Sequence, residues 1–99
     1  MRKDPDLDYL FKAILTLKSV DECYLFFEDV CTIKELQSMA QRMQVAKELS
    51  ASKNYLQVYE DTGVSSATIS RVNKCLQYGA GGYKIALERL CNAGGTKNE

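Results

Sequence analysis

The sequence predicts an all-α fold, and three observations favour it. Apolar residues recur every three to four positions in several segments, which is the spacing of one face of a helix. Side chains that can cap a helix stand just before these segments. No segment shows the alternation of apolar and polar residues that is typical of a strand. The length of 99 residues predicts a single domain over residues 1–99 with a small core.

Three helices are predicted in the first half of the chain, each behind a side chain that can cap it. They are expected over residues 5–17, 20–31 and 33–51, with caps at Asp4, Ser19 and Thr32. The predicted apolar stripes are Val20, Cys23, Tyr24, Phe27, Val30 and Cys31 in the second helix, and Leu36, Met39, Ala40, Met43, Ala46 and Leu49 in the third. Phe26 lies off its stripe, which indicates a second surface to bury, such as one against a partner chain.

Shorter helices are predicted in the second half of the chain. Two are expected over about residues 54–61 and 66–76, on either side of Gly63, which suits the left-handed position after a helix end. A last helix is expected over 82–92, followed by a flexible tail over 93–99 that is rich in glycine and polar residues.

Residues 54–76 have the organisation of a helix-turn-helix, because two short helices are joined by a turn that contains a glycine. The apolar residues that fall where the two helices would lock together are Val58, Val64, Ile69 and Val72. The polar positions of the second helix face away from these locks. The same pattern also describes two antiparallel helices in a helical bundle that does not bind DNA.

Small polar side chains at the start of the second helix suit entry into the DNA major groove. Arg71 and Lys74 lie one turn further on and could reach the DNA backbone or bases, and Lys53 and Asn54 precede the first helix and could contact phosphate. The predicted DNA-binding residues are Lys53, Asn54, Ser65, Ser66, Ala67, Thr68, Ser70, Arg71 and Lys74.

The composition argues against an enzyme. The chain has no histidine, so it lacks a Ser-His or Cys-His pair and an imidazole metal ligand. Its four cysteines form no C-x-x-C pair, so we expect no metal and no cofactor.

Neither a signal peptide nor a membrane span is visible, which favours the cytoplasm. Reduced, buried cysteines are then expected, and a disulfide is the alternative in an oxidising compartment.

The net charge of zero hides an uneven distribution. Residues 1–31 hold four basic and seven acidic side chains, whereas residues 32–99 hold nine basic and six acidic ones. The basic part includes the helix-turn-helix, so the overall neutrality does not exclude a nucleic-acid partner.

Several motifs together resemble a known family. They are Thr32-Ile33-Lys34-Glu35-Leu36, the run from Arg42 to Leu49, Gly63, and Ala67-Thr68-Ile69-Ser70-Arg71. The stretch 32–76 resembles the Trp repressor superfamily, and the whole chain resembles its small YerC/YecD branch. The resemblance implies an intertwined homodimer with a helical dimerisation core over residues 1–51. It also implies that the two helix-turn-helix units bind successive major grooves.

The resemblance also implies a candidate ligand pocket formed by Thr32, Arg42, Arg71, Val72 and Cys75. Arg42 and Arg71 match the two arginines that sandwich an indole ring in the Trp repressor. Val72 stands where the repressor has a glycine, and Cys75 where it has a serine. The isopropyl group of Val72 would fill the indole slot, so we do not expect tryptophan to bind as a corepressor, and the sequence leaves open whether another small-molecule effector binds.

The sequence thus predicts a dimeric, sequence-specific DNA-binding transcriptional regulator of repressor type, with double-stranded DNA and a second copy of itself as partners and no membrane. The alternative is a helical protein–protein interaction module that keeps the scaffold without reading DNA.

Overall fold

The computed structural model describes residues 1–98, with side chains described for residues 1–93. Its helices are α1 (Pro5–Leu15), α2 (Val20–Val30), α3 (Ile33–Ser50), α4 (Tyr55–Thr62), α5 (Ser66–Tyr78) and α6 (Gly82–Asn98). Residues 1–98 contain no strand, so the predicted all-α fold class is confirmed. None of the helices in this range is long and apolar enough to cross a membrane.

The helices of the first half begin at the predicted caps. Asp4 Oδ1 accepts a hydrogen bond from the Asp6 N–H at 2.8 Å, and Ser19 Oγ accepts one from the Glu22 N–H at 3.1 Å. Thr32 and Glu35 form a reciprocal pair, with backbone-to-side-chain distances of 2.8 and 3.1 Å. These bonds satisfy N–H groups that the first turn of a helix leaves without partners.

The chain divides into two compact units, residues 1–36 and the residues from Gln37 onward. The boundary lies inside α3, because the second half of α3 supplies Val45 and Ala46 to the buried cluster of the second unit. The dimerisation core expected over residues 1–51 stays a prediction.

No side chain of α1 or α2 is buried in the first unit. Large apolar side chains are exposed here instead, namely Tyr9, Phe11, Leu15, Val20, Tyr24, Leu25, Val30 and Ile33. Phe26, which we expected to supply extra apolar surface, is half-buried, and its ring meets that of Phe27 edge to face with centroids 5.2 Å apart. The unburied surface therefore comes from other residues, including Val20 and Tyr24 of the predicted stripe.

The buried core of the described chain lies in the second unit. It consists of Val45, Ala46, Val58, Val64, Ile69 and Val72, with Leu49, Leu76, Tyr83 and Leu87 packed against it. Val45 is absent from the predicted stripe of α3, whereas Met39, a member of that stripe, is exposed. The buried face of α3 thus differs from the predicted one.

The last helix differs from the expected one at its end. α6 runs to Asn98, past residue 92 and into the segment predicted as a flexible tail. Once a helix exists, each added residue gains a backbone hydrogen bond without a new nucleation step, so the helix continues through glycines. The last residue of that predicted tail, Glu99, lies outside the described residues.

All four cysteines are free thiols. The sequence predicts that they are buried, but none of them is fully buried, so the predicted burial is wrong. Cys23 and Cys31 are half-buried, whereas Cys75 and Cys91 are exposed. On α5, Val72 and Leu76 face the core, whereas Cys75 is exposed.

Candidate nucleic-acid interface

The turn between α4 and α5 has the conformation that the sequence predicts. Gly63 lies in the left-handed region, with φ 70° and ψ 8°, and its N–H donates to the Tyr59 carbonyl oxygen at 2.8 Å. A residue with a Cβ would be destabilised there by about 1–2 kcal/mol. Glycine thus allows the chain to leave α4 and reach the start of α5 within three residues.

The predicted locks between the two helices are confirmed. Val58 on α4, Val64 in the turn, and Ile69 and Val72 on α5 are all buried. They meet Val45 and Ala46 of α3 in one cluster. Because Ile69 and Val72 are three positions apart on one face of α5, burying them directs the opposite face toward solvent.

The solvent face of α5 carries small polar residues and positive charge. Its exposed residues include Ser66, Ala67, Ser70, Arg71 and Lys74. No acidic residue occurs between Ser66 and Tyr78, and no ion pair involves Arg71 or Lys74 in the part of the chain that the structure describes. Both cations are therefore available to a negatively charged partner.

A local hydrogen-bond network fixes the start of α5. Ser65 Oγ accepts a hydrogen bond from the Thr68 N–H at 3.3 Å and donates one to Thr68 Oγ1 at 3.1 Å. Ser65 is thus the N-cap of α5, and Thr68 is half-buried beside it. These two residues shape the helix start, whereas Ser66 and Ala67 are exposed there.

Lys53 and Asn54 both have partners within the chain. The Nζ of Lys53 lies 2.8 Å from Asp61 Oδ2 and 3.5 Å from Glu48 Oε1. Asn54 caps α4 in a reciprocal pair with Gln57, both bonds being 2.9 Å. A phosphate would compete with two carboxylates for the Lys53 ammonium.

The ion pair changes the acidity of its members. The hydrogen bond from Lys53 is the largest cause that lowers the pKa of Asp61. The hydrogen bond to Asp61 is the largest cause that raises the pKa of Lys53. Sequence reasoning missed Glu48 and Asp61 because the pattern of charges along the chain does not show which ones meet in the fold.

Of the candidate ligand residues in the second unit, Cys75 is the one that lines a cavity of about 350 Å³, together with Met43 of α3 and residues 80–83 and 86. Arg42, Arg71 and Val72 are not among its lining residues. The Nε of Arg42 donates to the Ser38 carbonyl oxygen of its own helix at 3.4 Å, and Val72 lies in the core. Thr32 belongs to the first unit and caps α3.

Comparison with known proteins places the chain in a family. The model of the Trp repressor protein family matches residues 5–91. The chain belongs to the Trp repressor family. This assignment confirms the resemblance that the motifs of α3 and of the helix-turn-helix carry.

Proteins similar to this Trp repressor family member come from several bacteria. YerC, an uncharacterized protein of Bacillus subtilis strain 168, is 52% identical over 85 residues, which cover 86% of this chain and 82% of YerC. A TrpR-like protein from Eubacterium eligens is 55% identical, with a TM-score of 0.85 over 89% of this chain and 91% of that one. A Staphylococcus aureus protein named as a candidate Trp repressor is 46% identical, with a TM-score of 0.85 over 89% and 88%.

The Lys53–Asp61 pair predicts a pH-dependent contribution to stability. The folded-state pKa of Asp61 is below its ordinary value, so the contribution is complete above the unfolded pKa and is lost as the pH falls through the folded pKa. Asp61→Asn should therefore lower the free energy of unfolding near neutral pH, and its difference from wild type should vanish in acid. Urea unfolding between about pH 7 and pH 2.5 measures this.

Glu60→Gln is the matched control for this measurement, because Glu60 is an exposed carboxylate with no ion pair in the described chain. Equal effects of the two substitutions at neutral pH would contradict a specific role for the pair.

Proposed function

We propose that this protein is a sequence-specific DNA-binding transcriptional regulator of repressor type, which inserts α5 into the major groove as a homodimer. The observation that carries the proposal is the exposed face of α5, where Arg71 and Lys74 are free of ion pairs in the described chain and no acidic side chain is present. Membership of the Trp repressor family supports it.

The dimensions of this face fit a DNA groove. An α-helix with its side chains is about 10–12 Å in diameter, and the major groove of B-DNA is about 12 Å wide. Small side chains at Ser66, Ala67 and Ser70 let the helix backbone approach the base edges. Arg71 can donate two hydrogen bonds to guanine or contact phosphate, and Lys74 supplies a point charge for phosphate.

The remaining candidate residues have supporting roles in this proposal. Ser65 and Thr68 fix the start of α5 through their mutual hydrogen bonds. Lys53 and Asn54 are exposed, but their side chains are engaged by Asp61 and Gln57. We therefore assign them weaker phosphate contacts than those of Arg71 and Lys74.

The homodimer is supported by the first unit. Its helices bury no side chain, yet they expose several large apolar ones. Such a surface in water favours association, because burying it against a second copy removes apolar area from solvent. An intertwined dimer would hold two copies of α5 in a fixed spacing, which suits a DNA site with two related half-sites.

Tryptophan is not required as a corepressor in this proposal. Val72 is buried within the core, so its side chain occupies space where a glycine would leave room. Val72 thus takes the place of a bound ligand and holds α5 in the orientation that binds DNA. Arg42 is turned to its own helix through Ser38, which does not favour a sandwich around an indole.

The family is one of regulators rather than enzymes, and we propose no catalytic activity and no cofactor for this chain. A cytoplasmic location, where a bacterial chromosome lies, follows from the proposed function.

The second candidate function is a protein–protein interaction module, which the exposed apolar residues of α1 and α2 favour.

Removing the free cations of α5 should weaken DNA binding. Arg71→Ala combined with Lys74→Ala is expected to lower duplex affinity at low salt and to leave the dimer intact. The slope of log K against log salt should decrease by about 0.9 for each phosphate that the variant no longer neutralises. Fluorescence anisotropy with labelled duplexes at several salt concentrations measures both effects.

The matched control is Lys84→Ala with Arg89→Ala, which removes the same charge from exposed positions of α6. If the wild type does not bind duplex at low salt, or if the two double variants bind alike, the interaction module becomes the better description.

A charge on the first unit should disrupt the dimer. Leu25 is 67% exposed on α2, and Leu25→Glu would place a carboxylate in the proposed apolar interface. We expect the wild type to sediment at twice the 11.1 kDa of one chain and this variant to sediment as a monomer at low micromolar concentration. Leu56 of α4 is 64% exposed, so Leu56→Glu is a control of equal chemistry and exposure. A monomeric wild type would refute the proposed assembly.

Tryptophan should leave the protein unchanged. Calorimetric titration with L-tryptophan is expected to give no binding heat, and addition of the amino acid should not alter the affinity for duplex DNA, because Val72 occupies space in the core. Micromolar tryptophan binding would overturn the role assigned to Val72.

A further inference from the structure

Thr62 makes two hydrogen bonds that span the turn between α4 and α5. It is the last residue of α4 and directly precedes Gly63. Its Oγ1 donates to the Val58 carbonyl oxygen at 2.7 Å and accepts from the Val64 N–H at 3.2 Å. The single hydroxyl thus joins the last turn of α4 to the residue that follows the glycine.

The Thr62 hydroxyl lies in partly buried surroundings, where its hydrogen bonds matter for stability. Thr62 is half-buried, and both of its partners belong to buried core residues. A part-buried N–H such as that of Val64 loses free energy when it has no acceptor. Gly63 has no side chain, and a Cβ placed there would meet no atom within 4 Å, so residue 63 gives the turn no side-chain packing.

We propose that Thr62 is a positioning residue that sets α5 for reading DNA, although its own side chain does not touch DNA. This inference rests on the proposed function. Val64 is followed directly by Ser65, the N-cap of α5. A bond that holds the Val64 backbone to the end of α4 therefore fixes where the first turn of α5 begins.

Loss of the two Thr62 hydrogen bonds should lower the sequence specificity of DNA binding. Hydrogen bonds to base edges require positions accurate to about 0.5 Å. Binding to random DNA depends mainly on charge, which tolerates small displacements of the helix. A looser turn would therefore weaken binding to the preferred sequence and change binding to random DNA little.

Three substitutions test the proposal. Thr62→Val keeps the shape of the side chain and removes both hydrogen bonds, whereas Thr62→Ser keeps the hydroxyl. Thr62→Ala is measured in parallel, so that a folding defect of one variant does not decide the result. Thr16→Val is the matched control, because Thr16 Oγ1 donates to the Ala13 carbonyl oxygen at 2.6 Å at the exposed end of α1, in the first unit.

The DNA probes are a duplex selected by the wild type from a random-sequence library and a duplex of unselected sequence. Thr62→Val should bind the selected duplex about tenfold more weakly than wild type, with less than about a twofold change on the unselected duplex. Thr62→Ser and Thr16→Val should stay within about twofold of wild type on both.

A second measurement tests the turn without DNA. In amide hydrogen exchange followed by NMR, the Val64 amide should exchange about tenfold faster in Thr62→Val than in wild type, and Thr62→Ser should restore its protection. Unchanged exchange would overturn the inference.

The outcomes separate the two proposals. A wild type that selects no sequence would overturn the proposed function, and this inference with it. A wild type that selects a sequence, with Thr62→Val binding it equally well, would overturn the inference alone. A lower melting temperature with an unchanged ratio of specific to non-specific affinity would show a merely structural role and would also refute it.

Discussion

Four side chains, those of Val45, Val58, Ile69 and Val72, are completely or almost completely buried and hold α3, α4 and α5 against one another. Burying one aliphatic side chain of this size contributes about 1.5–3 kcal/mol, and the cluster is small, so each member matters. The polar face of α5 points outward because Ile69 and Val72 anchor the opposite face. The left-handed Gly63, the Ser65 cap and the Thr62 hydrogen bonds then refine a geometry that the apolar contacts have established.

Features that act within a few residues were predictable from the sequence. The caps Asp4, Ser19 and Thr32 each bond to a backbone N–H two or three residues away, so their residue types and spacing suffice. The locks of the helix-turn-helix were predictable because helical periodicity decides which positions of α5 share a face.

Features that depend on distant parts of the chain were not predictable in the same way. Lys53 meets Asp61 eight residues later, after α4 has returned the chain to it, and charge patterns do not reveal such a meeting. The buried face of α3 was predicted as one continuous stripe, but the helix crosses from the first unit into the second. Its core residue Val45 therefore lies off that stripe.

The engagement of Lys53 by two carboxylates bears on how such a protein would find its target. With this cation held internally, Arg71 and Lys74 would carry most of the attraction of the proposed DNA-binding face of α5 for random DNA, and few counterions would be released on contact. Each encounter with a non-target sequence would then be brief, which favours repeated dissociation and rebinding over long sliding along the duplex. The time needed to locate a target would depend chiefly on the number of protein copies in the cell.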